Sequence, residues 1–424
     1  MIKILSKLFN PRKELNSKEK SFLKISEKRN IRKIFEAISS HSGDGEIRYV
    51  GGCVRNILKN EEVKDIDLAT NLSPTDVKES FKKKGIEFYE TGIKHGTITA
   101  AIEGNNFEIT SLRKDISTDG RHAEVEFTTN WLEDASRRDF TINSIYSDIN
   151  GNLFDPFNGR NDLSNGNIKF IGNAEERIKE DYLRILRYVR FFLNYSKNKH
   201  DPKIKKIILQ NIKGVSRLSK ERLIDELKKI VLSEGFLKIN EDAFCLEVIS
   251  LIFPQLQKIN LFKKLNKYAL NNIASKDFIF LLSLMIIDQT DNVEYFLYKY
   301  NFSNEAKKRI KFLDNIFSKP LEKKFFSENN LWKIYYFNNK INMEDLIDFE
   351  IYRSSKINNN LLTLKKTFAK NEPPKFPVKA SHLIDNYNLK EGKELGEFLK
   401  KIEDVWIENS FKISEKEIEK ILKN

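Results

Sequence analysis

Two cysteines in 424 residues, Cys53 and Cys245, leave no material for a disulfide framework or a Cys-rich zinc site. A reducing compartment fits, and the cytoplasm is the expected location. Apolar runs are short as well: none approaches the ~20 residues of a membrane span, so no membrane partner is expected. Only 17 Gly and 9 Pro occur, which excludes a collagen-like or low-complexity chain. With 40% hydrophobic and 32% charged residues, the chain can bury at least one full core. At roughly 150 residues per domain, two to four domains are expected. Acids are in deficit: 74 Lys and Arg against 61 Asp and Glu leave +13. Such an excess favours a polyanionic partner, nucleic acid first, and says nothing of fold.

The first 13 residues lack acids, but they have neither a long apolar stretch nor a small-residue cleavage site, so a short basic helix or arm is expected there. Residues 1–44 hold 11 basic and 5 acidic side chains, a net of +6 by subtraction. From Glu46 to about Phe170 the pattern is mixed: a strand at Ile47–Val50, a helix from Val54, a strand over Asp65–Thr70, a helix after Ser73-Pro74, then two strands around Gly104. Beyond Gly172, Leu, Ile and Phe recur three and four apart and the reading turns helical. Pro373, Pro374 and Pro377 mark a linker near 368–379 before a last pair of helices, whose core face is Leu395, Phe398, Leu399, Ile402 and Trp406.

The most informative segment is VGGCVRNILKNEEVKDIDLAT. Gly51-Gly52 ends a strand and opens a helix, and residues 53–64 separate the turn from Asp65-Ile66-Asp67. Glycines at such a turn let backbone approach a phosphate that the helix N–H groups then meet. On a strand, Asp65 and Asp67 project to one face, where two hard oxygen ligands can hold Mg²⁺. Carboxylate-held metals bridge the attacking hydroxyl and the departing phosphates of an in-line displacement, so the combination points to nucleotidyl transfer. Alone, either motif is weak, and a D-x-D is more often a solvated strand edge. Arg55 becomes a triphosphate ligand candidate rather than a surface cation.

This combination resembles the DNA polymerase β-like nucleotidyltransferase superfamily. The strings ETGIKHGTITAAI, FEITSLRKD, DGRHAEVEF, DASRRDFTINSI, FDPFNGRNDL and RIKEDYLRILRYVRFF follow in one order. Together they resemble class II CCA-adding enzymes (tRNA nucleotidyltransferases) and the bacterial poly(A) polymerases, densely from Ile47 to Phe192. The resemblance implies an α+β fold: a nucleotidyltransferase head with a mixed sheet at 45–170, after an N-terminal basic helical extension at 1–44. A neck at 171–235 that recognises the base, a helical body at 236–370 and a helical tRNA-binding tail at 371–424 then follow. It implies addition of C, C and A to the tRNA 3′ end from CTP and ATP with Mg²⁺, and no obligate protein partner is evident.

Asp181 and Arg184 are expected together on one face of a helix whose apolar stripe is Leu183, Leu186, Val189 and Leu193. A carboxylate accepts and a guanidinium donates, which matches the amino group and ring nitrogen of cytosine and adenine and mismatches uracil and guanine. The alternative is a surface i, i+3 ion pair of a few tenths of a kcal/mol. By resemblance, Arg187 and Arg190 belong to the nucleotide site. Arg137, Arg138 and Asp139 link primer end, triphosphate and metal, unless they only cap a helix, and Asn143 holds their turn. Glu108 is a third carboxylate or half of a cross-strand ion pair. Departures from the family pattern are Cys53, Asn56 and Tyr182, none of them a metal ligand.

Gly92-Ile93-Lys94-His95-Gly96-Thr97 stands where poly(A) polymerases tend to carry a Gly-Arg-Arg-Phe-type string, and RKDISTDGRHAEVEF resembles the loop that lets full CCA enzymes go on to add A. An A-only enzyme and a catalytically silent RNA-binding protein are the alternatives. His200-Asp201 suggests an HD phosphohydrolase metal set, but no other histidine falls nearby, and a helix-start loop is the expectation.

Overall fold

The computed structural model describes residue 22 and residues 29–63, 65–118 and 123–423. The chain forms two compact units, Met1–Ile252 and Phe253–Asn424. In the first, a seven-stranded sheet has the order β3-β4-β5-β2-β1-β8-β9. Its strands are β1 (Ile47–Val50), β2 (Asp67–Thr70), β3 (Glu87–Gly92), β4 (Thr97–Ile102), β5 (Asn105–Ser111), β8 (Tyr146–Ser147) and β9 (Leu153–Phe154). β6 (Arg113–Thr118) and β7 (Ala123–Phe127) make a separate antiparallel ribbon. Its connection at 119–122, the tip of the A-addition loop expected from sequence, lies outside the described residues.

β2 and β5 are the parallel pair, with Asp67 opposite Glu108, while β1 runs antiparallel to β2 with Tyr49 opposite Leu68. The end of β1 and the start of β2 therefore meet at one end of these two central strands, which brings the Gly51 turn alongside Asp67. One face of this region is sealed by Val50, Ala69, Leu112, Ala135 and Tyr146. Ser73 caps the Pro74–Lys84 helix by accepting from Asp76 N–H, as the Ser-Pro pair predicts.

Several expectations need correcting. The Arg29–Ser39 helix is not an extension: Ile31, Ile34, Phe35 and Ile38 recur at helical spacing and are all buried. The ring of Phe35 packs 5.1 Å from that of Tyr49. The rest of 1–28 apart from Phe22 lies outside the described residues. Residues 236–252, expected with the body, belong to the first unit, where Gly235 lies so close to the Leu193 carbonyl that a Cβ would sit 2.4 Å from its oxygen.

Among its described residues the second unit carries only helices, from Ile259–Lys264 to Glu415–Lys423. Asp348, fully buried, takes ion pairs from both Lys276 and Lys365. Residues 371–379 hold no helix, in accord with the three prolines. Beyond them Leu383, Leu395, Ile402 and Ile418 form a small core of their own. No helix is long and apolar enough to cross a membrane among the described residues.

Candidate active site

Gly51 caps the Gly52–Lys59 helix at φ 69°, ψ −123°, backbone that a side chain strains. A Cβ on Gly51 would lie 3.7 Å from Arg138 Nη1, and one on Gly52 would lie 3.7 Å from Arg55 Nη2. Two guanidinium groups thus flank the turn. Arg55 is buried, donates to Asn143 Oδ1 at 2.5 Å and lies over the rings of Phe191 and Tyr195. Asn56 touches it through Oδ1 at 3.4 Å.

Asn143 hands the contact on: its Nδ2 donates to Asp139 Oδ1 at 2.9 Å, and Arg187 Nε donates to Asp139 Oδ2. Burial opposes ionisation of Asp139, but Arg187 and Asn143 outweigh it and hold the carboxyl down to about 2. Asn143 thus bridges Arg55 and Asp139. Arg137 and Arg138 both pair with Asp134, which also accepts from the Tyr146 hydroxyl at 2.6 Å. Burial opposes that charge too, yet the two arginines take Asp134 well below the usual carboxylate range.

The acids sit differently from the expectation. β2 starts at Asp67, because the pairing with β5 begins at Glu108, so Asp65 lies on the segment before the strand and side-chain alternation does not place it. Asp65, Asp67 and Glu108 nevertheless line one pocket of about 890 Å³, with Thr91, Thr99 and Asn106. Asp65 is exposed and Asp67 half-buried. Glu108 lines this pocket beside Asp67 and, among the described residues, forms no ion pair. Burial first, then the charge of Glu108 and of Asp65, push the Asp67 carboxyl above its ordinary value despite Arg138 and Arg55. A cluster of hard oxygen donors that repel one another is the donor set a divalent cation relieves.

The pair expected to read the base, Asp181 and Arg184, is also placed differently. Ala174–Glu180 and Leu183–Tyr195 are separate helices, and Asp181 sits in the break with φ −150°. Its Oδ1 accepts from Leu183 N–H and its Oδ2 from Arg222 at 2.8 Å. Arg184 donates to Glu180 at 2.6 Å and to the Arg177 and Arg137 carbonyls. The two side chains face these partners, so the surface i, i+3 ion pair is not the arrangement. Arg190 pairs with buried Glu226. The partners Arg177, Glu180, Arg222 and Glu226 escaped the sequence reading. Arg177, Glu180 and Arg184 show an i, i+3 and i, i+4 pattern that sequence could have supplied, while Arg222 and Glu226 lie 41 and 36 residues from their partners.

A family model described as "Poly A polymerase head domain" matches residues 47–169. The chain is 37% identical over 384 residues to "CCA tRNA nucleotidyltransferase 1, mitochondrial" of Homo sapiens, covering 88% of this chain and 85% of the human protein. The chain belongs to the CCA-adding enzyme family. Another member, the CCA-adding enzyme of Lactobacillus johnsonii, is 40% identical over 192 residues, 45% of this chain and 47% of that one. The solved CCA-adding enzyme of Bacillus stearothermophilus in complex with CTP superposes with a TM-score of 0.72 at 20% identity, over 96% of this chain and 98% of that one. The Thermotoga maritima CCA-adding enzyme, solved with tRNA, gives 0.62 at 21% identity over 95% and 97%. At these identities the superpositions speak to fold, and they agree with a polymerase β-like head followed by helices. CCA-adding enzymes are nucleotidyltransferases of a superfamily that works with divalent metals, and the carboxylate pocket here carries the donors for one.

Proposed function

We infer that this protein adds C, C and A to the 3′ end of tRNA from CTP and ATP, without a nucleic-acid template and with release of pyrophosphate. The observation that carries the reading is the carboxylate pocket of Asp65, Asp67 and Glu108 beside the Gly51-Gly52 turn, in a chain 37% identical to a CCA tRNA nucleotidyltransferase along most of both lengths.

Asp65 and Asp67, with Glu108 beside them, would hold Mg²⁺, which supplies charge neutralisation on the phosphates and acidifies the attacking 3′ hydroxyl. The chain's own groups do the positioning. Arg55 and Arg138, one on each side of the glycine turn, receive the triphosphate, with Arg137 and Arg187 adding positive charge behind them. Asp139 and Asn143 keep Arg187 and Arg55 in place. Asp181 and Arg184 read the base, for which Asp181 exchanges Arg222, and Arg184 exchanges Glu180, for the base edge. Arg190, paired with Glu226, supports the same helix. Residues 45–170 serve as head, 171–252 as neck, 253–370 as body and 371–424 as tRNA-binding tail. The free, buried cysteines favour a reducing compartment, which we take as the cytoplasm; the human relative is named mitochondrial.

The test is to sequence the 3′ ends made from a tRNA lacking CCA, with CTP and ATP supplied separately and together. Growth by C, C and A supports the reading. Addition of A alone or of an A tract replaces it with the A-adding or poly(A) alternative, and no turnover leaves the silent RNA-binding protein.

A further inference from the structure

Among the described residues one cluster mixes nitrogen, oxygen and sulfur donors: His200, Asp242 and Cys245, whose ligand atoms lie within 4.8 Å of one another. Sequence separation hid it, because the partners of His200 lie 42 and 45 residues away. Asp201 does cap the Pro202–Asn211 helix, as expected, but His200 turns to the start of the Ala243–Ile252 helix. We propose that His200 Nε2, an Asp242 carboxylate oxygen and Cys245 Sγ form a site for one zinc-class divalent cation, separate from the nucleotidyl-transfer pocket and not dependent on that reading.

Spacing supports it. Zinc bond lengths with tetrahedral angles put such donors roughly 3.3–3.7 Å apart. Here Nε2 stands 2.9 Å from Asp242 Oδ2 and 3.8 Å from Cys245 Sγ, each within a few tenths of an ångström of those values, and all three ligand atoms lie within 4.8 Å of one another. Charge supports it too, since one thiolate and one carboxylate neutralise a +2 ion in a largely buried place. The ring is pre-set: His200 stacks on Phe192 with centroids 3.5 Å apart, meets Phe244 edge-on, and binds the Tyr188 hydroxyl through Nδ1 at 2.9 Å. Such an outer partner orients a metal-binding imidazole. The Asp242 side chain, 23% exposed, gives an entry path and room for a water as fourth ligand. Thiolate and imidazole select zinc over magnesium.

The protons balance as follows. Without metal, the Asp242 carboxylate accepts from His200 Nε2–H and the Cys245 thiol, so Tyr188 donates to Nδ1. On binding, the thiol proton leaves to solvent and the imidazole proton moves to Nδ1, with Tyr188 becoming the acceptor. One proton is released per ion.

The full-length protein, stripped by chelator and returned to excess Mg²⁺, is titrated with Co²⁺. We expect one Co²⁺ per chain with a thiolate-to-cobalt charge-transfer band, release of about one proton, and displacement by Zn²⁺. Cys245→Ser should lose the band and Cys53→Ser keep it, and His200→Gln should weaken binding about tenfold or more. Absence of the band in the unsubstituted protein, its survival in Cys245→Ser, or unchanged affinity in His200→Gln overturns the proposal. The unsubstituted protein and His200→Gln suffice if a cysteine variant does not fold.

Discussion

Asp67 and Glu108 stand opposite each other in the parallel strand pair of the sheet. Burial raises the Asp67 carboxyl first, and the neighbouring Glu108 carboxylate at this register raises it further. On the proposed reading, a bound cation offsets that local cost.

Asp67→Asn should therefore lower nucleotide incorporation by ~10³-fold or more, taking the metal's several kcal/mol of transition-state stabilisation as lost. At neutral pH in metal-free buffer the same variant should melt no lower than the parent. A carboxyl raised on folding favours the fold below its unfolded value and loses that contribution as pH rises through the folded value. Calorimetry with and without Mg²⁺, beside an incorporation assay, checks both. A variant with normal turnover defeats the metal assignment.

Asp139 titrates in the opposite sense. Held down to about 2 by Arg187 against the effect of burial, it should contribute about 2 kcal/mol. That stability is complete above the ordinary carboxylate value near 4 and drains as pH falls toward 2. Asp139→Asn should thus show a constant melting deficit from pH 7 to 5 that narrows in stronger acid. A deficit independent of pH throughout would reject the ion pair as its source.

How far the sequence could be read is visible at these residues. The Ile47–Val50 strand, the glycine turn and the Ser73 cap follow from local chemistry, and so does the change to helices after Gly172. The start of β2 does not, because it is decided by where β5 offers a partner. Asp181 falls outside the helix that its spacing predicts, because the sequence nowhere announces the break before Leu183. The burial of the Leu395, Ile402 and Trp406 face was legible from period alone, while Phe398 and Leu399 remain only half-covered.

Gly51→Ala should cost about 1–3 kcal/mol through its positive φ and abolish activity, whereas Gly52→Ala adds a methyl at ordinary contact distance from Arg55. For Gly52→Ala we expect near-parental melting and a raised KM for CTP. Equal melting losses in the two variants would show that backbone conformation is not the cause.

Truncating the proposed base readers should relax selection rather than binding of tRNA. With Asp181→Ala and Arg184→Ala combined, the preference for CTP over UTP should fall by ~10²-fold or more, since buried polar groups no longer reject the wrong edge. Arg222→Ala, which removes the group now facing Asp181, should change nucleotide KM without reversing the preference. Single-nucleotide kinetics with all four triphosphates read this out, and an unaltered CTP-to-UTP ratio in the double variant would dismiss a side-chain template.

A carboxamide has one end that gives and one that receives, and Asn143 spends both: it receives from Arg55 and gives to Asp139. The line from glycine turn to Leu183–Tyr195 helix consequently has a direction, cation to amide to anion to cation. Rotating that amide by half a turn would set like against like at both ends. The glycine turn and the Leu183–Tyr195 helix are thereby keyed in a single orientation, and an aspartate at 143, nearly identical in shape, would jam the lock.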